Sequence, residues 1–147
     1  MIFQTTTTSF KVELLQGVHN FGPTLPNTFK IALYTANASL NQNTTEYTAT
    51  DEVNGVGYTA GGQDLIISVP PTSGITTDYT PTAYISFANA SWPLAAFTAR
   101  GALIYNSTHG NKSVAVLDFG SDKTVFNQTF VVTFPNADAN SAIVRIS

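Results

Sequence analysis

The sequence predicts an all-β protein, an antiparallel β-sandwich or jelly-roll-like barrel of about eight strands with one short N-terminal helix. Three observations lead to this fold class. Apolar and polar residues alternate with a period of two in several segments. Glycine, proline and asparagine separate those segments at short spacing. Strands and helices do not alternate along the chain as they would in a parallel α/β protein.

The clearest strand signal is a hairpin over residues 98–120. In its first arm, one face carries Ala99, Gly101, Leu103 and Tyr105, and the other carries Thr98, Arg100, Ala102 and Ile104. The second arm alternates in the same way over residues 114–119. Residues 106–112 between the arms are rich in turn formers, and we expect Gly110 to adopt a positive φ.

The remaining elements follow from the same patterns. A helix is predicted over residues 10–16, with Ser9 as its N-cap and Gly17 as its C-terminal stop. Strands are predicted at residues 28–35, 46–50, 64–69, 83–90, 126–134 and 142–146. We expect Pro70 and Pro71 to end the strand at 64–69, and residues 73–82 to form a loop. Trp92 is expected in a linker, where it plugs one end of the core.

The length is that of a single β-sandwich domain over residues 1–147. The chain has no cysteine, which excludes disulfides and thiolate metal sites. Residues 1–8 end in an unbroken run of threonines, and β-branched side chains favour extended backbone. We interpret this segment as an extended N-terminal arm or a first strand.

Charged residues are sparse. Asp, Glu, Lys and Arg make up 10% of the chain, against about 25% in typical soluble domains. Two interpretations stay open: neighbouring subunits cover much of the surface, or Thr, Ser and Asn supply the polar exterior of a protein without partners. The net charge of −3 and the scattered cations argue against nucleic acid as a partner. No apolar run is long enough to span a membrane.

No residue pattern predicts catalysis, a cofactor or a metal site. His19 and His109 have no cysteine, histidine or carboxylate at ligand spacing. Asp51 and Glu52 are adjacent, so in extended backbone their side chains point to opposite sides rather than to one substrate. The glycine-rich segment 55–62 precedes a strand, whereas a phosphate-binding loop opens a helix. A small hydrolase built on Asp51, Glu52 or Asp118 is the least favoured function.

Five tyrosines lie outside the predicted core pattern: Tyr34, Tyr47, Tyr58, Tyr79 and Tyr84. Tyrosine combines an apolar ring with a polar tip, which suits sugar stacking, a protein interface or the packing of strand edges. All three roles remain open from the sequence.

Five segments cover most of residues 10–134: FKVELLQGVHNFG, TFKIALYTANASLN, TATDEVNGVGYTAGGQDL, FTARGALIYNS and VAVLDFGSDKTV. In this order they resemble a family of small virion structural proteins of tailed bacteriophages, and LYTA at 33–36 and GYTAGG at 57–62 are the most specific parts. The resemblance brings no catalytic motif. It implies an assembly role, either as a capsid decoration or cement protein or as a component of the tail or its fibre attachment.

The leading hypothesis is therefore a non-enzymatic virion protein that binds other virion proteins and copies of itself, without a cofactor. The residues predicted at its interfaces are Ile2, Phe3, Thr5, Thr6, Thr7, Thr8, Tyr34, Tyr58 and Tyr84. Those near the N-terminus are chosen because an extended arm can pair with a neighbour's open sheet edge. The alternative is a carbohydrate- or host-receptor-binding module that uses exposed tyrosines and the loops at 37–45 and 73–82.

Overall fold

The computed structural model describes residues 1–147. It contains two antiparallel sheets and one short helix, which confirms the all-β prediction. The elements are β1 (Thr5–Thr6), α1 (Thr8–Leu15), β2 (Phe29–Tyr34), β3 (Gln63–Leu65), β4 (Ile67–Ile75), β5 (Pro81–Phe87), β6 (Ala90–Asn106), β7 (Lys112–Val132) and β8 (Val144–Ile146). The large sheet has the order β1-β7-β6-β2-β3, and the small sheet has the order β4-β5-β8. No helix is long and apolar enough to cross a membrane.

The predicted hairpin is confirmed as the centre of the large sheet. Gly110 in its turn has a φ of +64°, as expected. Both strands run further than predicted, because bulges let β6 and β7 stay paired through irregular stretches as far as Ala90 and Val132. Trp92 therefore lies within β6 rather than in a linker. It is buried, and its ring packs against Phe130 at 6.0 Å between centroids.

The segment predicted as one strand at 64–69 is divided between the two sheets. Residues up to Leu65 pair with β2, whereas those from Ile67 pair with β5, so the chain crosses between the sheets at Ile66. Pro70 and Pro71 do not end β4 but lie inside it. This is tolerated because β4 is an edge strand, in which the missing N–H donors need no partner. The predicted loop at 73–82 is accordingly shorter, since β4 ends at Ile75 and β5 begins at Pro81.

Two further local predictions are corrected. The N-cap of α1 is Thr7 rather than Ser9, because the Thr7 hydroxyl accepts a hydrogen bond from the Phe10 N–H at 3.3 Å. The strand predicted at 46–50 is reduced to a single bridge between Glu46 and Lys112.

The main core lies between the sheets and contains 23 buried residues. A second cluster of eight buried residues lies on the opposite face of the large sheet. β2 contributes to both, with Ile31 and Leu33 in the main core and Ala32 and Tyr34 in the second cluster. The large sheet therefore has apolar side chains on both faces, although the small sheet covers only one of them.

Candidate interaction surface

The outer face of the large sheet is the face turned away from the small sheet. In β6 it carries Leu103 and Tyr105, because the alternate residues Ala102 and Ile104 lie in the main core. Part of the chain folds over these outward side chains, and the residues that cover them include Ile2, Ala38 and Leu40. The protein thus supplies its own cover for one half of the outer face.

The N-terminal segment completes this cover. Ile2 is 5% exposed and forms a parallel bridge with Leu40. The Phe3 N–H donates to the Leu40 carbonyl at 2.9 Å, and the Leu40 N–H donates to the Met1 carbonyl at 3.1 Å. Residues 1–3 are therefore held on the sheet by backbone hydrogen bonds and by one buried side chain.

The other half of the outer face has no such cover. Ala96 and Thr98 flank Phe97, whose ring lies in the main core, so both residues are on the outer face. Ala96 pairs with Val56 on one side and with Phe126 on the other, which places the three side chains next to one another. Val56 is 69% exposed and Phe126 is 83% exposed.

A nearby bulge of β6 adds another exposed side chain, because Leu94 is 69% exposed. We refer to Val56, Leu94, Ala96 and Phe126 as the apolar patch. It contains no charged side chain, and the next outward pair is Thr98 and Thr124, whose hydroxyls hydrogen-bond to each other at 2.8 Å. The patch is thus an uncharged apolar surface bordered by neutral hydroxyls.

The glycine-rich segment 55–62 presents Val56 to this patch. The Ala96 N–H donates to the Val56 carbonyl at 3.0 Å. Gly57 follows with a φ of +82°, and a Cβ at this position would lie 3.0 Å from the Cα of Ala95. Glycine is required here because the loop backbone lies directly against β6. The glycines therefore serve close backbone packing.

The residues predicted at interfaces lie in three environments. Phe3 and Thr8 are exposed, and Thr5, Thr6, Tyr58 and Tyr84 are half-buried. Ile2, Thr7 and Tyr34 are buried. The prediction that Tyr34 lies outside the core is wrong, because the chain that covers the outer face encloses its ring and its hydroxyl donates to the Thr48 carbonyl at 2.6 Å. None of these residues belongs to the apolar patch.

Residues 1–8 lie against their own sheet, so of the two interpretations of this segment the first strand agrees with the structure and the extended arm does not. Thr5 and Thr6 form β1 and pair with β7. The Thr7 hydroxyl both caps α1 and hydrogen-bonds to the Ser113 hydroxyl at 2.8 Å. The segment thus contributes a cap, a strand and a core side chain to its own domain.

Glu52 organises the loop that carries Val56. Its carboxylate accepts hydrogen bonds from the hydroxyls of Tyr47 and Tyr58 at 2.7 and 2.6 Å and from the Gly61 N–H at 2.7 Å. Burial, reinforced by the hydrogen bond to Glu52, raises the pKa of Tyr58 well above its usual range, so the phenol stays protonated and remains a donor. The Glu52 carboxylate therefore acts as a structural acceptor.

The other candidate acids do not share a site with Glu52. The Asp118 carboxylate accepts from the Gly120 N–H at 2.9 Å and from Arg100 Nε at 3.1 Å. These contacts, led by the Gly120 hydrogen bond, hold the pKa of Asp118 below its usual range. Asp51 is exposed and has a φ of +59°. The Asp118 carboxylate is thus explained by its local contacts.

His19 is buried in a polar chain that the sequence does not reveal. Its Nε2 lies 2.8 Å from Glu13 Oε2, and its Nδ1 lies 3.1 Å from the amide nitrogen of Asn106. Lys112 Nζ donates to the other Glu13 oxygen at 2.9 Å. Burial lowers the pKa of His19, which favours the neutral ring. Both ring nitrogens are engaged within the chain, whereas His109 is exposed in the hairpin turn.

A cavity of about 270 Å³ opens between α1 and the small sheet. Phe10 and Phe21 line one side, and Ile85 and Val144 line the other, with Tyr84 also contributing to the wall. This cavity is mainly apolar. It explains why Tyr84 is only half-buried.

Comparisons with protein-family models, with curated proteins and with solved structures find no match for this chain. The structure contains no group of three or more His, Cys, Asp or Glu side chains that could hold a metal ion. The fold and the exposed surface define an all-β sandwich with an apolar patch on the outer face of its large sheet.

Proposed function

We propose that this chain is a non-enzymatic structural protein of a tailed-bacteriophage virion, which binds neighbouring subunits through its apolar patch. Its partners are other virion proteins and copies of itself, and it resides in the assembled particle. The observation that carries the proposal is the exposure of Phe126, which is 83%, in a patch whose members carry no charge.

The energetics favour coverage of this patch by a partner. Removing an exposed phenylalanine side chain from water contributes roughly 1.5–3 kcal/mol. Interface centres are depleted in charged residues and enriched in aromatic ones, and the apolar patch has both properties. On the covered half of the same face, Ile2 and Leu40 pack over the outward side chains of the sheet. A partner would cover the apolar patch with its own apolar side chains in the same manner.

The contacts of the ionisable side chains also support a role without catalysis. The Glu52 carboxylate accepts three intramolecular hydrogen bonds, and both nitrogens of His19 are paired with Glu13 and Asn106. A general acid or base must reach a substrate proton through an available atom. These groups instead hold loops and α1 in place.

The proposal is tested by measuring how much of the chain is incorporated into phage particles. Particles assembled with the wild-type chain or with the Phe126→Ser variant are purified, and the chain is quantified by mass spectrometry against the other virion proteins. We expect wild-type chain in a fixed ratio to those proteins, and about a tenfold or greater loss of affinity for the variant.

The matched control is Leu25→Ser, which removes a side chain that is 86% exposed but lies outside the patch. This variant should be incorporated like the wild type, and both variants should unfold at the wild-type temperature. Absence of the wild-type chain from particles would refute the virion role. Full incorporation of Phe126→Ser would refute the role of the patch.

A further inference from the structure

A polar cleft of about 430 Å³ lies at one end of the small sheet. Seven residues line it and none is hydrophobic. One wall is the loop between β4 and β5, which contributes Thr76, Asp78 and Thr80. The other wall contains Asn140 and Arg145, which precede and belong to β8. No residue of the apolar patch lines this cleft.

The walls of the cleft are tied together by direct hydrogen bonds. The N–H and the hydroxyl of Thr77 both donate to Asn140 Oδ1, at 3.0 and 3.3 Å. Arg145 donates through one guanidinium nitrogen to the Asn140 carbonyl. These contacts fix the Asn140 amide while its Nδ2 hydrogens have no partner in the chain. The remaining N–H groups of Arg145 are likewise unpaired.

The loop between β4 and β5 is closed on itself in a strained conformation. The Thr76 N–H donates to the Thr80 carbonyl at 3.0 Å, and the Tyr79 N–H donates to the Thr76 carbonyl at 3.0 Å. Tyr79 adopts a φ of +63°, which is unfavourable for a bulky side chain. Its ring is 86% exposed although its neighbours Asp78 and Thr80 line the cleft. Strained residues of this kind cluster at ligand sites.

We propose that this cleft binds a neutral pyranose sugar. Vicinal sugar hydroxyls donate to the Asp78 carboxylate, while Asn140 Nδ2 and the free Arg145 N–H groups donate to sugar oxygens. Tyr79 does not line the cleft itself, but its exposed ring is on the same loop as Asp78, where it packs against the apolar face of the part of the sugar that projects from the cleft. This inference goes beyond the proposed subunit role and does not rest on it.

The chemistry of the cleft favours a neutral sugar over an anion or an apolar ligand. Asp78 accepts a hydrogen bond from the Thr76 hydroxyl, which holds the pKa of its carboxyl below its usual range. Asp78 and Arg145 give the lining one negative and one positive charge, so the cleft carries no net charge that would favour an anion, and the carboxylate forms strong hydrogen bonds with hydroxyl donors. The threonine hydroxyls supply further groups that both donate and accept. An apolar ligand would find no hydrophobic side chain in the lining.

The test uses residues 1–147, displayed in many copies on beads so that weak binding is detected. It is exposed to an array of neutral oligosaccharides of glucose, galactose, mannose and N-acetylglucosamine, with sialylated and uronic-acid glycans on the same array. Two variants probe the cleft: Asp78→Asn removes the charge, and Tyr79→Asn removes the ring. Asparagine tolerates the positive φ of Tyr79, and at position 78 it keeps an oxygen that can accept from the Thr76 hydroxyl, so neither change should impair folding. Asp122→Asn, at an exposed position of β7, is the matched control.

We expect binding to one or more neutral glycans. Asp78→Asn should weaken it about tenfold or more, since it removes a hydrogen bond to a charged group, and Tyr79→Asn about threefold or more. Asp122→Asn should bind like the wild type. The proposal is overturned if no neutral glycan binds, if only anionic glycans bind, or if both cleft variants bind as well as the control. Incorporation of the chain into particles is measured separately, so failure here leaves the subunit role standing.

Discussion

The side chain of Ile2 occupies the space that the missing side chain of Gly101 leaves open. A Cβ at Gly101 would lie 2.9 Å from Ile2 Cδ1 and 2.5 Å from the Leu117 carbonyl oxygen. Gly101 is the first outward residue after the bulge at Arg100. The N-terminus is therefore anchored at the border between the covered and the uncovered halves of the outer face.

Substitution of Gly101 by alanine should destabilise the fold by about 1–3 kcal/mol, because the new methyl group overpacks a filled site. Ile2→Ala should cost about 2–4 kcal/mol through the cavity that it leaves. The double variant should lose at least about 0.5 kcal/mol less stability than the two single losses added together, since the shortened side chain at position 2 relieves part of the collision. Urea unfolding at neutral pH measures all three.

Ser121→Ala, at an exposed position of β7, is the control for these variants and should change stability by less than about 0.5 kcal/mol. Additive costs of the two substitutions would contradict the contact between Ile2 and Gly101.

Glu52→Gln should destabilise the protein by roughly 1–3 kcal/mol. The amide keeps one acceptor oxygen and places an NH₂ donor where the carboxylate now accepts from Tyr47, Tyr58 or Gly61. The neighbouring change Asp51→Asn is a matched control, because Asp51 is exposed and asparagine tolerates its positive φ. Chemical unfolding should separate the two variants, and equal stabilities would show that Glu52 does not hold its loop.

The protein should lose stability steeply above pH 10. Burial raises the pKa of Tyr105 to about 12 and raises those of Tyr34, Tyr47 and Tyr58 further above their usual value. Between the unfolded and folded pKa values the folded state holds more protons, so stability falls as pH rises. Each phenol contributes a slope of up to about 1.4 kcal/mol per pH unit.

Urea unfolding at several alkaline pH values, followed with tyrosinate absorbance, tests this dependence. Tyr105→Phe removes one of the titrating groups and should flatten the slope by about one phenol's share. An identical slope in wild type and variant would contradict the burial of this hydroxyl.

His19 should be the neutral Nε2–H tautomer at neutral pH. Its Nε2–H then donates to Glu13, and its Nδ1 accepts from Asn106. Because burial lowers the pKa, the unfolded chain takes up the proton before the folded chain does. The stability contributed by His19 is therefore complete above about pH 6.5 and falls as the pH drops below it.

Nitrogen chemical shifts of the imidazole ring report the tautomer directly. Asn106→Asp replaces the amide donor with a carboxylate, which should raise the pKa of His19. In this variant, acid should strengthen the contact between residues 19 and 106 instead of weakening it. Detection of the Nδ1–H tautomer in the wild type would refute the hydrogen-bond arrangement.

Strand locations are the part of the fold that alternation alone predicts well. The central hairpin shows this, because its apolar residues repeat every second position over both arms. Bulges are harder to predict. A single extra residue such as Arg100 moves all following side chains to the other face of the sheet, and no sequence pattern identifies that residue. This is why the exposure of Phe126, just before the irregular position Asn127, is not apparent from the pattern.

The cover of the outer face and the buried polar chain depend on contacts between distant segments. Asn106 and His19 are 87 positions apart, and Ile2 meets Gly101 across most of the chain. No local period encodes such contacts. Glu13 is the one residue whose position in the sequence indicates the buried polar chain. It lies three residues after Phe10 on α1, so it is on the same side of the helix as that buried ring.

Hydroxyl-radical footprinting of the isolated chain and of purified phage particles, read by mass spectrometry, shows whether a partner covers the apolar patch in the particle. We predict that Phe126, 83% exposed in the isolated chain, is protected at least about tenfold in the particle. Leu25 should keep most of its reactivity. Equal oxidation of Phe126 in both samples, or particles that lack the chain, would contradict the claim that this face is built to be covered.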